Sequence, residues 1–520
     1  MSIELSRTAN QLIGQGRAAE ALRLTEAAVA GDTVATSALN AHAAVLKALD
    51  RHAEAAVFNR RAVQQDPKDR IGWHNLAATL CDLSDYAGAR KAAERAFRLG
   101  LDVPETFLVF GRALQGLAMF DGAERAFRDA LKRRPDYVDA HRDLAQLIWM
   151  RTADPDLALA GLETAVAAHP SPALAAMQAM VLERVGRPRD AWAVLTGALT
   201  RWPGDARLQV AAADAAADLG ETAEAVRLAE AAWAQAPGHP ALLETVCTAW
   251  LAAGRPRAAF EAMGARLDVA PHDQIALAFR ATAARMLGHP DYERLYDYET
   301  FVRPAVVEAP NGWPSREAWL ADLSASLHRL HKLESHPLEN SLRHGSQTAQ
   351  SLRQSDDPAI KGFFQAIEAP IRAYMAALGP GSDPLRWLAR RPHPSAGLAV
   401  VGLLCRDPDR RPRHARTRGL DSFRPAAPPH HPGAGRRAAC PARAGDPGAV
   451  PLLYVARHRA LHLRRVAHDH RLRCGARVTR PLAVFDIDGT LVDSRASIFR
   501  AATEAARDLG LPEPEYDRVR

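Results

Sequence analysis

Apolar and polar positions repeat along the first half of the chain with a period of 34 residues. Alanine stands at 21, 55, 89, 123, 158, 191, 225 and 259, in steps of 34, 34, 34, 35, 33, 34 and 34. A second alanine follows seven residues on, at 28, 62, 96, 130, 165, 198 and 232. Proline closes units at 67, 135, 170, 203, 237 and 271. Between these marks, large apolar residues fall at spacings of three and four: Trp73, Leu76 and Leu80, then Phe107, Gly111 and Leu114, with Phe127 later in the same unit. Such spacing puts each set on one helical face. Each unit is therefore predicted to be a pair of helices. Alanine permits their close crossing, and proline ends the second helix because it has no amide hydrogen.

The units GWHNLAATLCDLSDYAGARKAAERAF and VFGRALQGLAMFDGAERAFRDALKRRPDYVDAH resemble the tetratricopeptide repeat. The resemblance covers Leu5 to Leu287, some eight units. It implies a mainly α chain: an α-solenoid of about eight helix pairs whose concave surface takes a protein or peptide partner. Trp73, Trp149, Trp192 and Trp233 read as packing fillers rather than ligand contacts.

The register stops after Pro290. A helix is predicted near Ser315 to Leu333, followed by a polar loop and a second helix in DPAIKGFFQAIEAPIRAYMAAL. HPLENSLRHGSQT, His336 to Thr348, resembles the segment that leads into the barrel of 2-oxoglutarate and iron(II) dependent oxygenases fused behind such repeats. That resemblance spans Tyr292 to Leu378 and implies an iron site on later barrel strands. Residues 348–385 supply no His and carboxylate set of the kind that binds iron with three positions left open, and His336 and His344 read as loop residues.

Composition then changes the picture. From Trp387 to Arg480 the chain has 20 Arg, 11 Pro and 8 His, 5 Asp, and no Lys, Glu, Ile, Asn, Gln or Met. That stretch carries +15 of the net +7, so the remainder is 7 − 15 = −8. It lacks the alternation of strands and the aromatics of a nucleic-acid surface, so nucleic acid is not the expected partner. Arg391 to Asp407 can be encoded so that the frame one base later spells ADHIHPQGWLSSVCYVEI. At the same offset Val450 to Leu461 spells FPSYMWHGTEPF. Both hidden peptides are similar to strands of the oxygenase family, and the stretch reads as out of frame and disordered.

PLAVFDIDGTLVDS, Pro481 to Ser494, restores ordinary composition. It is predicted to be a buried parallel strand, a turn and a following helix. The pattern resembles the haloacid dehalogenase-like hydrolases of the phosphoglycolate phosphatase branch. The resemblance implies Asp486 as nucleophile, Asp488 as general acid and base, and magnesium held by both. The further Ser or Thr, Lys and acidic pair of that family would lie beyond Arg520, so phosphatase activity is not expected.

The expected organisation is thus a repeat solenoid at 1–288, a partial oxygenase-like α+β segment at 289–386, a disordered basic stretch at 387–480 and a truncated βα fragment at 481–520. The expected function is a protein-binding scaffold, catalytically incomplete and without a cofactor of its own. The alternatives are an iron(II) and 2-oxoglutarate hydroxylase in an intact parent, or a magnesium-dependent phosphatase. Five scattered cysteines argue against a disulfide framework or zinc site. With no apolar run of membrane-spanning length and no signal pattern, the expected location is cytoplasmic, away from any membrane.

Overall fold

The computed structural model describes residues 2–14, 17–30 and 34–295, most of 303–338 and 355–379 with a few residues between, and the backbone of four later strands. The helices run as consecutive antiparallel pairs: α1 (Ser2–Gly14) with α2 (Ala18–Val29), α3 (Thr36–Ala48) with α4 (His52–Gln65), α5 (Arg70–Asp82) with α6 (Tyr86–Arg98), and α7 (Pro104–Gly116) with α8 (Phe120–Arg133). They continue as α9 (Val138–Thr152) with α10 (Pro155–Ala168), α11 (Pro172–Arg184) with α12 (Pro188–Arg201), α13 (Ala206–Asp218) with α14 (Thr222–Gln235), and α15 (Pro240–Ala252) with α16 (Pro256–Val269). A further helix, α17 (Gln274–Leu287), packs on the last pair, and a short α18 (Asp291–Leu295) follows.

The alanine register has a structural reason. Each alanine of the first series is the fourth residue of a second helix, and all eight are buried, most of them completely. Of the second series, six are buried and Ala28 is half-buried. The prolines at 67, 135, 170, 203, 237 and 271 each stand two residues past the end of a second helix. Gly111 shows the tolerance at a crossing: a Cβ there would stand 2.5 Å from Cε1 of Phe127, which is fully buried.

The turn inside each pair carries a second, less visible register. Asp50, Ser84, Ala118, Ala153, Gly186, Gly220, Gly254 and Gly288 all have positive φ, between 52° and 88°. Through Gly254, each lies five residues before a buried alanine of the first series. The amide after the turn returns to a carbonyl in the last turn of the first helix, as in Arg187 N to Leu182 O at 2.7 Å and Glu221 N to Ala216 O at 2.8 Å. This is the left-handed helix stop that satisfies terminal carbonyls.

First helices touch the next first helices, α5 on α7, α7 on α9, α9 on α11, α11 on α13 and α13 on α15. No second helix packs comparably on the next second helix among the described residues. The pile is therefore tighter on the first-helix side, and that side forms the inner face of a curved solenoid.

After the array, β1 (Arg303–Val306), α19 (Arg316–Leu330) and α20 (Pro358–Leu378) form a separate small core around Trp319, Leu323, Phe363 and Tyr374. Trp319 Nε1 donates to Ala359 O at 3.2 Å, and the Asp357 carboxylate caps α20 while accepting from Ser326 and Arg329. Both helices expected from sequence in this region are present.

Four further strands are β2 (Ala399–Leu404), β3 (Leu452–Arg457), β4 (Leu482–Asp486) and β5 (Thr490–Asp493). They join β1 in one sheet of order β1-β3-β2-β4-β5, with every pairing antiparallel. One expectation changes here. β2 and β3 are short strands on the two apolar runs AVVGLL and LLYVAR of the basic stretch. The strand at Leu482 forms as expected but is antiparallel, not parallel. Its register pairs Asp486 with Thr490 and Ala483 with Asp493, antiparallel to β5.

Candidate functional site

The inner face at α9 and α11 is where distant parts of the chain meet. On α9, Gln146, Trp149 and Met150 share one helical face, since their spacings are three and four. One period later, position 150 becomes Arg184, at the end of α11. A non-helical segment, Leu333 to Leu338, lies against this face. Leu333, Ser335, His336, Pro337 and Leu338 are buried, and Glu334 is exposed.

The contacts combine backbone capture with anchors. Glu334 N and Ser335 N both donate to Met150 O, at 2.8 and 3.3 Å, and Leu338 N donates to Gln146 Oε1 at 3.2 Å. The His336 ring stands edge to face with Trp149, centroids 5.7 Å apart. Its Nε2 is 3.2 Å from Arg184 O, so Nε2 carries the proton there. Leu338 is fully buried and belongs to the same apolar cluster as the interior of α9 to α17. One helical turn before Gln146, Arg112 on α7 donates to the buried Asp143 on α9 at 2.5 Å, and Arg142 donates to the other oxygen at 3.0 Å.

Trp149 and Arg184 also carry buried donors with no hydrogen-bond partner among the described residues: Trp149 Nε1, Arg184 Nε and Arg184 Nη2. Arg184 is only 5% exposed.

Trp149 thus departs from its sequence reading, because it is both buried filler and the surface on which His336 rests. Trp73, Trp192 and Trp233 are half-buried in the array. Indole donors of two of them close local loops, Trp73 onto Pro67 O and Trp233 onto Pro237 O. His336 is more than a loop residue, since it is buried between two helices; His344 lies outside the described residues. No local signal marks Leu333–Leu338 as a docked segment, because its partners lie some 150 to 190 residues earlier.

The other candidate residues are placed only in part. Asp486 ends β4, and its side chain lies outside the described residues, as do Asp488 and the hidden-frame His positions. The fit of this pair to magnesium, or of the later stretch to iron(II) and 2-oxoglutarate, therefore has no observation behind it. Among the described residues no three His, Cys, Asp or Glu side chains gather as metal ligands, and no helix is long and apolar enough to cross a membrane. Burial pushes the thiols of Cys81 and Cys247 up to about 12, which keeps them protonated and unreactive at neutral pH.

Paired helices, small residues at every crossing and a tight inner face define an α-solenoid of the tetratricopeptide kind. The tetratricopeptide repeat family profile matches residues 108–173 and 176–240. Similar solved structures include a tetratricopeptide repeat protein from Parabacteroides merdae, 17% identical, covering 47% of this chain and 97% of that one with a TM-score of 0.34. A thermophilic repeat protein of Thermus thermophilus is 23% identical over 35% of this chain and 98% of its own, with a TM-score of 0.29. YrrB, described as a repeat protein with an unusual peptide-binding site, is 20% identical over 36% and 95%, with a TM-score of 0.24. No curated protein sequence matches the chain.

Proposed function

We propose that this chain is a protein-binding scaffold whose inner face at α9 and α11 holds a non-helical peptide segment. One observation carries the reading: Glu334 to Leu338 is held there by two amides on Met150 O, an amide on Gln146 and a fully buried leucine. Main-chain hydrogen bonds with a side-chain anchor are how a peptide is gripped without regard to most of its sequence. The face is built to receive such a segment, and the chain supplies one from its own later part.

The test is direct. A fluorescein-labelled peptide of residues 331–338 is titrated by anisotropy into the full chain and into its Leu338→Ala variant, which weakens the internal segment. The peptide is expected to bind the variant at least about tenfold more tightly than the parent chain, a difference of about 1.4 kcal/mol. Adding Trp149→Ala should remove that binding. A peptide that binds neither chain would overturn the reading.

A further inference from the structure

We infer that the internal segment is a detachable strap between two bodies: a segment that takes its place on α9 and α11 sets the small core of α19 and α20 free to move against the array. The inference rests on the peptide-binding reading above and adds how occupancy of that face is passed on to the rest of the chain.

The connection between strap and small core is short. α19 ends at Leu330, Leu333 is already buried, and Glu334 N is on Met150 O. Three residues of extended chain reach at most about 11 Å, so a docked strap holds the end of α19 close to α9. α19 in turn is bound to α20. Ser326 and Arg329 near its end donate to Asp357, the residue that caps α20, and Trp319 Nε1 donates to Ala359 O. The two helices therefore move as one unit, and the strap sets where that unit stands.

Among the described residues, β1, α19 and α20 share an apolar core of their own, and none of the three packs on an array helix as array helices pack on each other. The covalent connection lies elsewhere: Leu295 of α18 is buried with Leu277 and Ala281 of α17, and β1 starts at Arg303. The unit is thus fastened twice, by the chain at the end of the array and by the strap four helix pairs earlier. With the strap off, the chain after Leu295 becomes a pivot, the arrangement of a hinged domain. The grip itself suits release. It consists of two amides on one carbonyl, one amide on Gln146, the His336 ring and the Leu338 side chain, while Glu334 is exposed. These groups serve one segment at a time, so strap and partner exclude each other. Because the strap is tethered, its high effective concentration keeps the face closed until a partner outcompetes it. The coupling is reciprocal, so whatever draws the small core away from α9 also opens the face.

Spin labels carried on unnatural side chains at Thr164 of α10 and Arg372 of α20, both exposed, report the distance between the two bodies by pulsed double electron resonance. The full chain is expected to give one narrow distribution. Titrating in the peptide of residues 331–338, with binding followed in parallel by anisotropy, should replace it with a broad one as the bound fraction rises. A second arm needs no peptide. Glu334→Pro removes the shorter amide bond to Met150 O, and because the side chain is exposed the change touches the core of neither body. That chain should give the broad distribution unaided and bind the peptide at least about tenfold more tightly than the parent. Bound peptide with the narrow distribution intact would overturn the inference and leave the peptide-binding reading standing. So would a Glu334→Pro chain that keeps the parent distances, however it binds the peptide. A peptide that binds neither chain would remove that reading, and the inference with it.

Discussion

At the scale of single residues, the array is governed by how little room each crossing leaves. Gly111 faces Phe127 and Gly116 faces Tyr86 so closely that even a methyl group would force a shift. Gly111→Ala is expected to destabilise the protein by about 1 to 3 kcal/mol, the usual result of overpacking a filled core. Pairing it with Phe127→Leu should recover part of that loss. Urea melts of the single and double variants check this, and a Gly111→Ala chain as stable as the parent would show that the crossing has slack. These positions were legible in the sequence, because Gly111 and Phe127 stand at recurring places of a strict register. The burial of Arg184 was not legible, since an arginine at a helix end reads as a solvated charge.

At the scale of elements, the turn inside each helix pair is the part the sequence disguised. Its left-handed residue is glycine in the later repeats but Asp50, Ser84, Ala118 and Ala153 in the earlier ones, so no residue type repeats there. The backbone demand is nonetheless the same, and it is strained for any side chain with a Cβ. Gly220→Ala is predicted to cost about 1 to 2 kcal/mol, although a Cβ at that position would meet nothing within 4 Å. Thermal melting compares it with Gly197→Ala, an interior helical glycine with equally open surroundings, which should be stabilising instead. The opposite signs would separate backbone strain from crowding. The paired helices themselves were readable from alanine and proline spacing alone. The strand direction at Leu482 was misread because an apolar run looks the same in either sense, and only its pairing with β2 and β5 decides it.

At the scale of the whole molecule, acid and topology both act on the array. His42 and His141 are buried and His74 is half-buried, on Thr25, the Pro135 carbonyl and Thr106 respectively, and loss of solvent holds all three below the ordinary imidazole value. The unfolded chain therefore binds more protons than the folded one. Their contribution is fully present above about pH 6.5 and is lost as pH falls from there through the folded values. Melting temperature should hold from pH 8 to 7 and decline from about pH 6.5 downward; a melting temperature unchanged to pH 5 would contradict this. The docked segment has a different kind of consequence. Almost every other contact in the solenoid joins neighbours, but the bonds from Leu338 to Gln146 and from His336 to Arg184 close loops of 192 and 152 residues. To a force pulling the chain apart from its two ends, that closure is a short circuit. Tension would pass from α9 straight to the segment and leave the four pairs' worth of chain between them slack, so the array should first lengthen from its N-terminal half. The later repeats would give way only after the clasp has slipped.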